Sequence, residues 1–284
     1  MTNSILLKSK QLTSSGLGCH VDNATPLSAL LNVVLKSGIA LIHNVDLTEA
    51  SFRSFVEKIG KKIEYKEEKA LVGYGFSDIL KIDGTPEDGK VITGRGKLPL
   101  HTDGILLNTQ VDLIILYASD VQGVDADGAT LVCDQLAAWG EMPDSLRTPL
   151  LIGSLEYIAF ERGYFTSVPE GWFSIPAFRD YGRVKSLNLA LPFIGERLKS
   201  WDVRVQGLSS QASQDYFNAL EKHFTQEKYL YNHQWCKGDL LIIDNQRTLH
   251  GRSALSVSKH RRLLRGQTTF EKNVLAPGPT HIAI

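Results

Sequence analysis

A chain of 284 residues with 31 basic and 31 acidic side chains lacks the electrostatic footprint of a nucleic-acid or anionic-membrane binder, which leaves a small-molecule substrate as the expected partner. Its length, without low-complexity or like-charge runs, predicts one domain over residues 1–284. Three widely spaced cysteines, Cys19, Cys133 and Cys236, argue against a disulfide framework, and no apolar run suits a signal-peptide core or a membrane span, so a cytoplasmic location is expected.

Near the amino terminus, His20-Val21-Asp22 has metal-ligand spacing but no long apolar strand beside it, so it is not read as a metal pair. Apolar residues at helical spacing from Pro26 to Lys36 predict a helix stopped by Gly38. Ile39 to His43 then reads as a short buried strand, with His43 as a strand or turn residue. Thr48 to Gly60 reads as a capped amphipathic helix with Phe52, Phe55, Val56 and Ile59 on one side. Residues 62–99 are polar and glycine-rich, which predicts loops and short strands; Tyr65 and Tyr74 lie here, next to the segment that carries the strongest chemical signal.

That signal is His101-Thr102-Asp103. On an extended segment, side chains two apart leave the same face and converge on one point. The β-branched run Val111 to Tyr117 follows as a strand, then Gly128 to Asp134 as another and Gln135 to Trp139 as a helix start. Residues 150–205 are mixed and rich in aromatics, including Tyr164, Phe165, Trp172 and Trp201, and are expected to form a lid or pocket wall. Residues 209–227 predict an amphipathic helix with His223 on its surface. Leu240 to Ile243 reads as a buried strand, Asp244-Asn245 as a turn, and His250 as the third ligand to join His101 and Asp103. Two histidines and one carboxylate leave open coordination positions, the set that suits non-haem Fe(II) and O2. In the returning strand from Arg261 to Phe270, Arg261 and Arg265 share a face and Arg262 takes the other; an arginine inside a sheet-built pocket calls for an anionic partner.

With these elements in place, the sequence resembles the Fe(II)/2-oxoglutarate-dependent oxygenases of the taurine dioxygenase and clavaminate synthase group, and within it is most similar to carbapenem synthase. The likeness runs from Val91-Ile92-Thr93-Gly94-Arg95-Gly96 through Glu161-Arg162-Gly163-Tyr164 to Arg265-Gly266-Gln267-Thr268. It implies a mainly β fold with flanking helices, a double-stranded β-helix or jelly roll. It further implies that His101, Asp103 and His250 bind Fe(II), and that Arg261, helped by Thr130, holds the distal carboxylate of the cosubstrate 2-oxoglutarate; a one-residue slip would substitute Arg262. Tyr65, Tyr164, Trp201 and Arg265 are then expected to contact a small, anionic, amino-acid- or β-lactam-derived substrate of a natural-product or antibiotic pathway. Phe165 stands where carbapenem synthase has a second tyrosine, which favours hydroxylation or desaturation over stereoinversion. Two rival readings use the same side chains: a zinc hydrolase, which leaves Arg261 and Thr130 without a task, and a non-catalytic jelly roll that binds a ligand or senses iron. A homo-oligomer is compatible with every one of these readings.

Overall fold

In the computed structural model, residues 11–63, 78–84, 90–107, 109–122, 127–162, 164–165, 168–256, 259–270 and the backbone of 280–281 are described. The first helix spans Leu27–Ser37 and stops at Gly38, whose φ of 84° is the left-handed conformation that glycine adopts without a side-chain clash. The second spans Glu49–Ile59, with the Thr48 hydroxyl accepting from the Ser51 N–H as its amino-terminal cap.

The apolar runs between the helices explain themselves through the sheet they build. Seven strands form the larger sheet, with Ile39–Ile42, Leu240–Asp244, Leu113–Gln122 and His260–Thr269 side by side at its centre. Ile242 lies opposite both Ala40 and Ile115, and Leu241 opposite both Leu41 and Leu116. Alternate residues therefore leave on opposite faces. One set, including Ala40, Ile115, Ile242 and Leu264, packs on the two helices through Leu30, Val34, Phe52 and Val56. The other, including Leu41, Ile114, Leu241 and Leu263, packs toward Val132 of a four-stranded sheet. A sheet covered on both faces needs apolar residues at consecutive positions, which is why these strands read as continuous runs.

The four-stranded sheet has the order Leu230–His233, Thr130–Asp134, Thr248–Arg252, Leu98–His101. Residues 150–205, expected to form a lid or pocket wall, hold a three-stranded sheet of Trp201–Val205, Leu155–Ala159 and Phe173–Ile175, whose Tyr157, Trp201 and Val203 share a core with Leu98 and Leu100.

The helix Ser210–Phe224 corrects one expectation. His223 is buried, not on the surface: its Nε2 pairs with the Ala138 carbonyl at 2.7 Å, on the face that also carries Tyr216, Phe217, Leu220 and Phe224. A histidine three or four positions from core residues rotates onto their side of the helix, and its ring is tolerated there because the carbonyl satisfies it. Among the described residues no helix is long and apolar enough to cross a membrane.

Candidate metal centre and its cleft

His101 closes the strand Leu98–His101, and His250 lies directly opposite it on Thr248–Arg252. Facing residues of paired strands share a side, so the two rings come to 4.2 Å between centroids. His250 thus sits on a strand of its own beyond the turn at Asp244, which carries the chain from one sheet to the other.

Asp103 does not share the extended segment that its spacing predicts. The strand ends at His101, and Asp103 lies in the turn that follows. The Thr102 N–H donates to the Leu189 carbonyl at 2.8 Å. Gly104 has a φ of 86°, and a Cβ there would stand 2.0 Å from the Thr109 carbonyl oxygen, so only glycine fits the bend. Asn245 locks the turn from outside: its Oδ1 accepts from the Asp103 N–H at 3.0 Å, and its Nδ2 donates to the carbonyls of Asp103 at 3.1 Å and Val111 at 2.8 Å.

With the backbone so held, the carboxylate divides its two oxygens between two tasks. Oδ2 accepts from Gln267 Nε2 at 2.6 Å and lies 3.7 Å from Arg265 Nη1. Oδ1 faces both imidazoles, 3.3 Å from His101 Nε2 and 3.6 Å from His250 Nε2. His101 Nδ1 is 2.8 Å from the Pro99 carbonyl, a contact that needs the ring proton on Nδ1 and leaves the Nε2 lone pair toward Asp103. The three side chains present one ligand atom each within 4.8 Å of one another.

Burial opposes ionisation of Asp103, yet its neighbours His250, Arg265 and His101 outweigh it and hold the carboxyl well below the usual range. Burial, and then the neighbouring His101, push His250 down to about 3. An ionised carboxylate and neutral imidazoles are the forms in which these groups donate to a metal. The donor set and its convergence fit a divalent ion.

Arg261 is buried and Arg262 is exposed. The alternation runs unbroken along the strand, so Arg261, Leu263, Arg265 and Gln267 share the inward face; the bulge at this point lies on the partner strand, where Ser119 is the extra residue between Ala118 and Asp120. One guanidinium nitrogen of Arg261 donates to the Gly128 carbonyl, two residues before Thr130, while its Nε has no partner among the described residues. Burial and then the cations Arg252 and Arg95 push its pKa down to about 9. No carboxylate pairs with it among the described residues, and a buried cation so placed calls for an anionic ligand. The Thr130 hydroxyl accepts from Trp235 Nε1 at 3.0 Å, which frees its own hydrogen to be donated. Arg261 and Thr130 do not line the open cleft.

A cleft opens against His101 and Asp103. Ile92, Leu98, Ile105, Phe165 and Trp201 give it apolar walls, and Tyr164 and Arg265 its polar ones. Arg265 Nη2 donates to the Tyr164 hydroxyl at 3.0 Å, and the Trp201 ring lies 5.5 Å from that of His101. Tyr65 lies outside the described residues.

Sequence reasoning passed over three supports: Gln267, Asn245 and Arg252. Arg252, also buried, donates to the carbonyls of Val91, Ile92 and Gly96 and so ties down a loop that reaches the cleft. Gln267 was legible in principle, being two residues from Arg265 on one strand face; the other two act through backbone contacts that no spacing announces.

Residues 10–267 match the family model described as taurine catabolism dioxygenase TauD, TfdA family. The chain is 28% identical over 217 residues to an alpha-ketoglutarate-dependent 2,4-dichlorophenoxyacetate dioxygenase of Cupriavidus pinatubonensis, covering 69% of this chain and 71% of that protein. Among solved structures it is similar to the PvcB protein of Pseudomonas aeruginosa, with a TM-score of 0.68, 19% identity and coverage of 89% and 86% of the two chains. A second PvcB structure, described as an Fe, alpha-ketoglutarate dependent oxygenase from an isonitrile synthetic pathway, gives 0.66 at 18% identity over the same shares. These likenesses support the broad group and give no support to a special likeness to carbapenem synthase. The chain belongs to the TauD/TfdA family and is an Fe(II)- and 2-oxoglutarate-dependent dioxygenase.

Proposed function

We propose that His101, Asp103 and His250 hold the ferrous ion, that Arg261 and Thr130 receive the distal carboxylate of 2-oxoglutarate, and that the cleft takes a small organic anion. The reading rests on one observation above the rest: Asp103 turns a single oxygen toward two imidazoles while Gln267 and Arg265 occupy the other. In this reading the two packed sheets are the halves of a double-stranded β-helix, and residues 1–284 form one domain in which 150–205 supply the pocket wall.

When bound, iron and 2-oxoglutarate supply the activation of O2 through oxidative decarboxylation to succinate. The chain supplies position and dryness. Gln267 and Arg265 keep Asp103 from taking the ion with both oxygens, so that coordination positions stay open. Arg261 offers a pre-formed fork to a carboxylate that meets no competing acid among the described residues. The apolar walls exclude water from the reacting C–H bond. Arg265 reaches the substrate's negative charge, with Tyr164 and Trp201 beside it and Tyr65 as a further contact.

The substrate is an amino-acid- or β-lactam-derived metabolite of a natural-product pathway, oxidised by hydroxylation, desaturation or stereoinversion. Phe165, buried against Tyr164 with 5.0 Å between ring centroids, has no O–H hydrogen to give, which favours the first two. Anaerobic protein with Fe(II) and 2-oxoglutarate should develop a weak visible charge-transfer band and release succinate on admission of air. A chain that hydrolyses its substrate with zinc and ignores 2-oxoglutarate would overturn the proposal. Product mass then separates gain of oxygen from loss of two hydrogens.

A further inference from the structure

A second pair of imidazoles meets at the edge of the larger sheet, remote in sequence from all three residues of the proposed iron site. The strands Cys19–His20 and Ile39–Ile42 run parallel with His20 opposite Leu41. His43, two residues beyond Leu41, returns to the same side and becomes the diagonal neighbour of His20. The rings stack with 5.1 Å between centroids, and His20 Nδ1 stands 3.1 Å from His43 Nε2.

What lies behind His43 gives the pair its chemistry. Its Nδ1 is 2.6 Å from Oδ1 of Asp239, a carboxylate only 2% exposed. Oδ2 of the same group accepts from the Cys236 N–H at 2.8 Å and lies 3.2 Å from His233 Nε2. The carboxylate therefore keeps the His43 proton on Nδ1 and turns the Nε2 lone pair toward His20. A histidine with a carboxylate behind one nitrogen and a lone pair on the other is the arrangement that accompanies metal-bound imidazole. Two nitrogens sharing one tetrahedral zinc, each at about 2.0–2.1 Å, stand about 3.3 Å apart; the separation here is within a few tenths of an ångström of that. The tempting His20-Val21-Asp22 step is a coincidence of spacing, because Asp22 Oδ1 accepts from the Ala24 N–H at 2.7 Å within its own turn.

We propose that His20 and His43 form a surface site for a borderline divalent transition ion of the zinc and nickel class, with water completing the coordination and Asp239 orienting His43. Imidazole pairs suit these ions, and side chains at 44% exposure for His43 leave them reachable from solvent. The site is separate from the iron centre and does not depend on that reading.

Zinc uptake by the full chain tests it. In a His101→Ala background, which cripples the buried centre, equilibrium dialysis should still find one zinc per chain. Adding His20→Ala should remove it, or weaken it at least tenfold, with unchanged circular dichroism. Paramagnetic Ni(II), added below stoichiometry, should broaden the imidazole resonances of His20 and His43 in the same background before any other. A His101→Ala chain that takes up no zinc, or takes it up equally well after His20→Ala, overturns the proposal and leaves a shared proton as the whole of the His20–His43 contact.

Discussion

Among the described residues, two places pair imidazoles that meet each other beside an aspartate, and they are built in opposite ways. At the buried centre, His101 and His250 face each other across paired strands, and the aspartate enters between them with one oxygen while three further side chains, Asn245, Gln267 and Arg265, fix its backbone and its other oxygen. At the sheet edge, His20 and His43 face each other and the aspartate stands behind one of them. Position relative to the carboxylate separates the two. An acid between two imidazoles makes a three-donor site that commits to one geometry; an acid behind one imidazole only orients it and leaves solvent to fill the rest. Burial widens the gap, since a misplaced donor in the interior has no water to compensate it.

The largest expected effect comes from removing the inserted acid. Asp103→Ala should abolish both the charge-transfer band and succinate release, whereas His20→Ala should leave both at the wild-type level; equal behaviour of the two variants would erase the distinction. Gln267→Leu keeps the ligand but frees its second oxygen. Iron affinity should fall by about tenfold to a hundredfold, read as a higher Fe(II) concentration for half-maximal activity, and an unchanged midpoint would show that the 2.6 Å contact does not orient the carboxylate. Arg261→Ala should raise the KM for 2-oxoglutarate by about tenfold to a hundredfold, the range expected when a hydrogen bond to a charged group is lost, while Arg262→Ala should not alter it. A reversed result would move the cosubstrate to the other strand face. The smallest effect belongs to the edge: His43→Ala should cost about 1 kcal/mol in chemical denaturation, because Asp239 keeps its bond from the Cys236 N–H.

Much of this architecture is legible in local sequence. The Leu27–Ser37 helix and its glycine stop, the capped Glu49–Ile59 helix and the central strands follow from local spacing, and the inward set Arg261, Arg265 follows from a period of two. The bulge near Arg262 could have exchanged the faces. It does not, because the extra residue, Ser119, lies on the neighbouring strand.

Elsewhere the same local rules misplace a residue. The His101-Thr102-Asp103 spacing points to a shared strand face, yet Asp103 reaches the site from a turn bent at Gly104 and pinned by Asn245. His223 reads as a surface residue and is buried, because a carbonyl from a different helix, Ala138, stands where its ring arrives. His20, whose spacing to Asp22 is not read as a metal pair, meets His43 from another strand, a contact that no local pattern announces.

The sequence by itself determined the periodic elements, the identity of the candidate ligands and the face of the returning strand, since each is a matter of neighbours within a few positions. Only the tertiary structure decided which histidines meet, which oxygen of Asp103 faces them and what stands behind His43. Those are contacts between segments far apart in the chain, fixed by strand pairing and by the need to satisfy buried polar groups, and no local pattern encodes them.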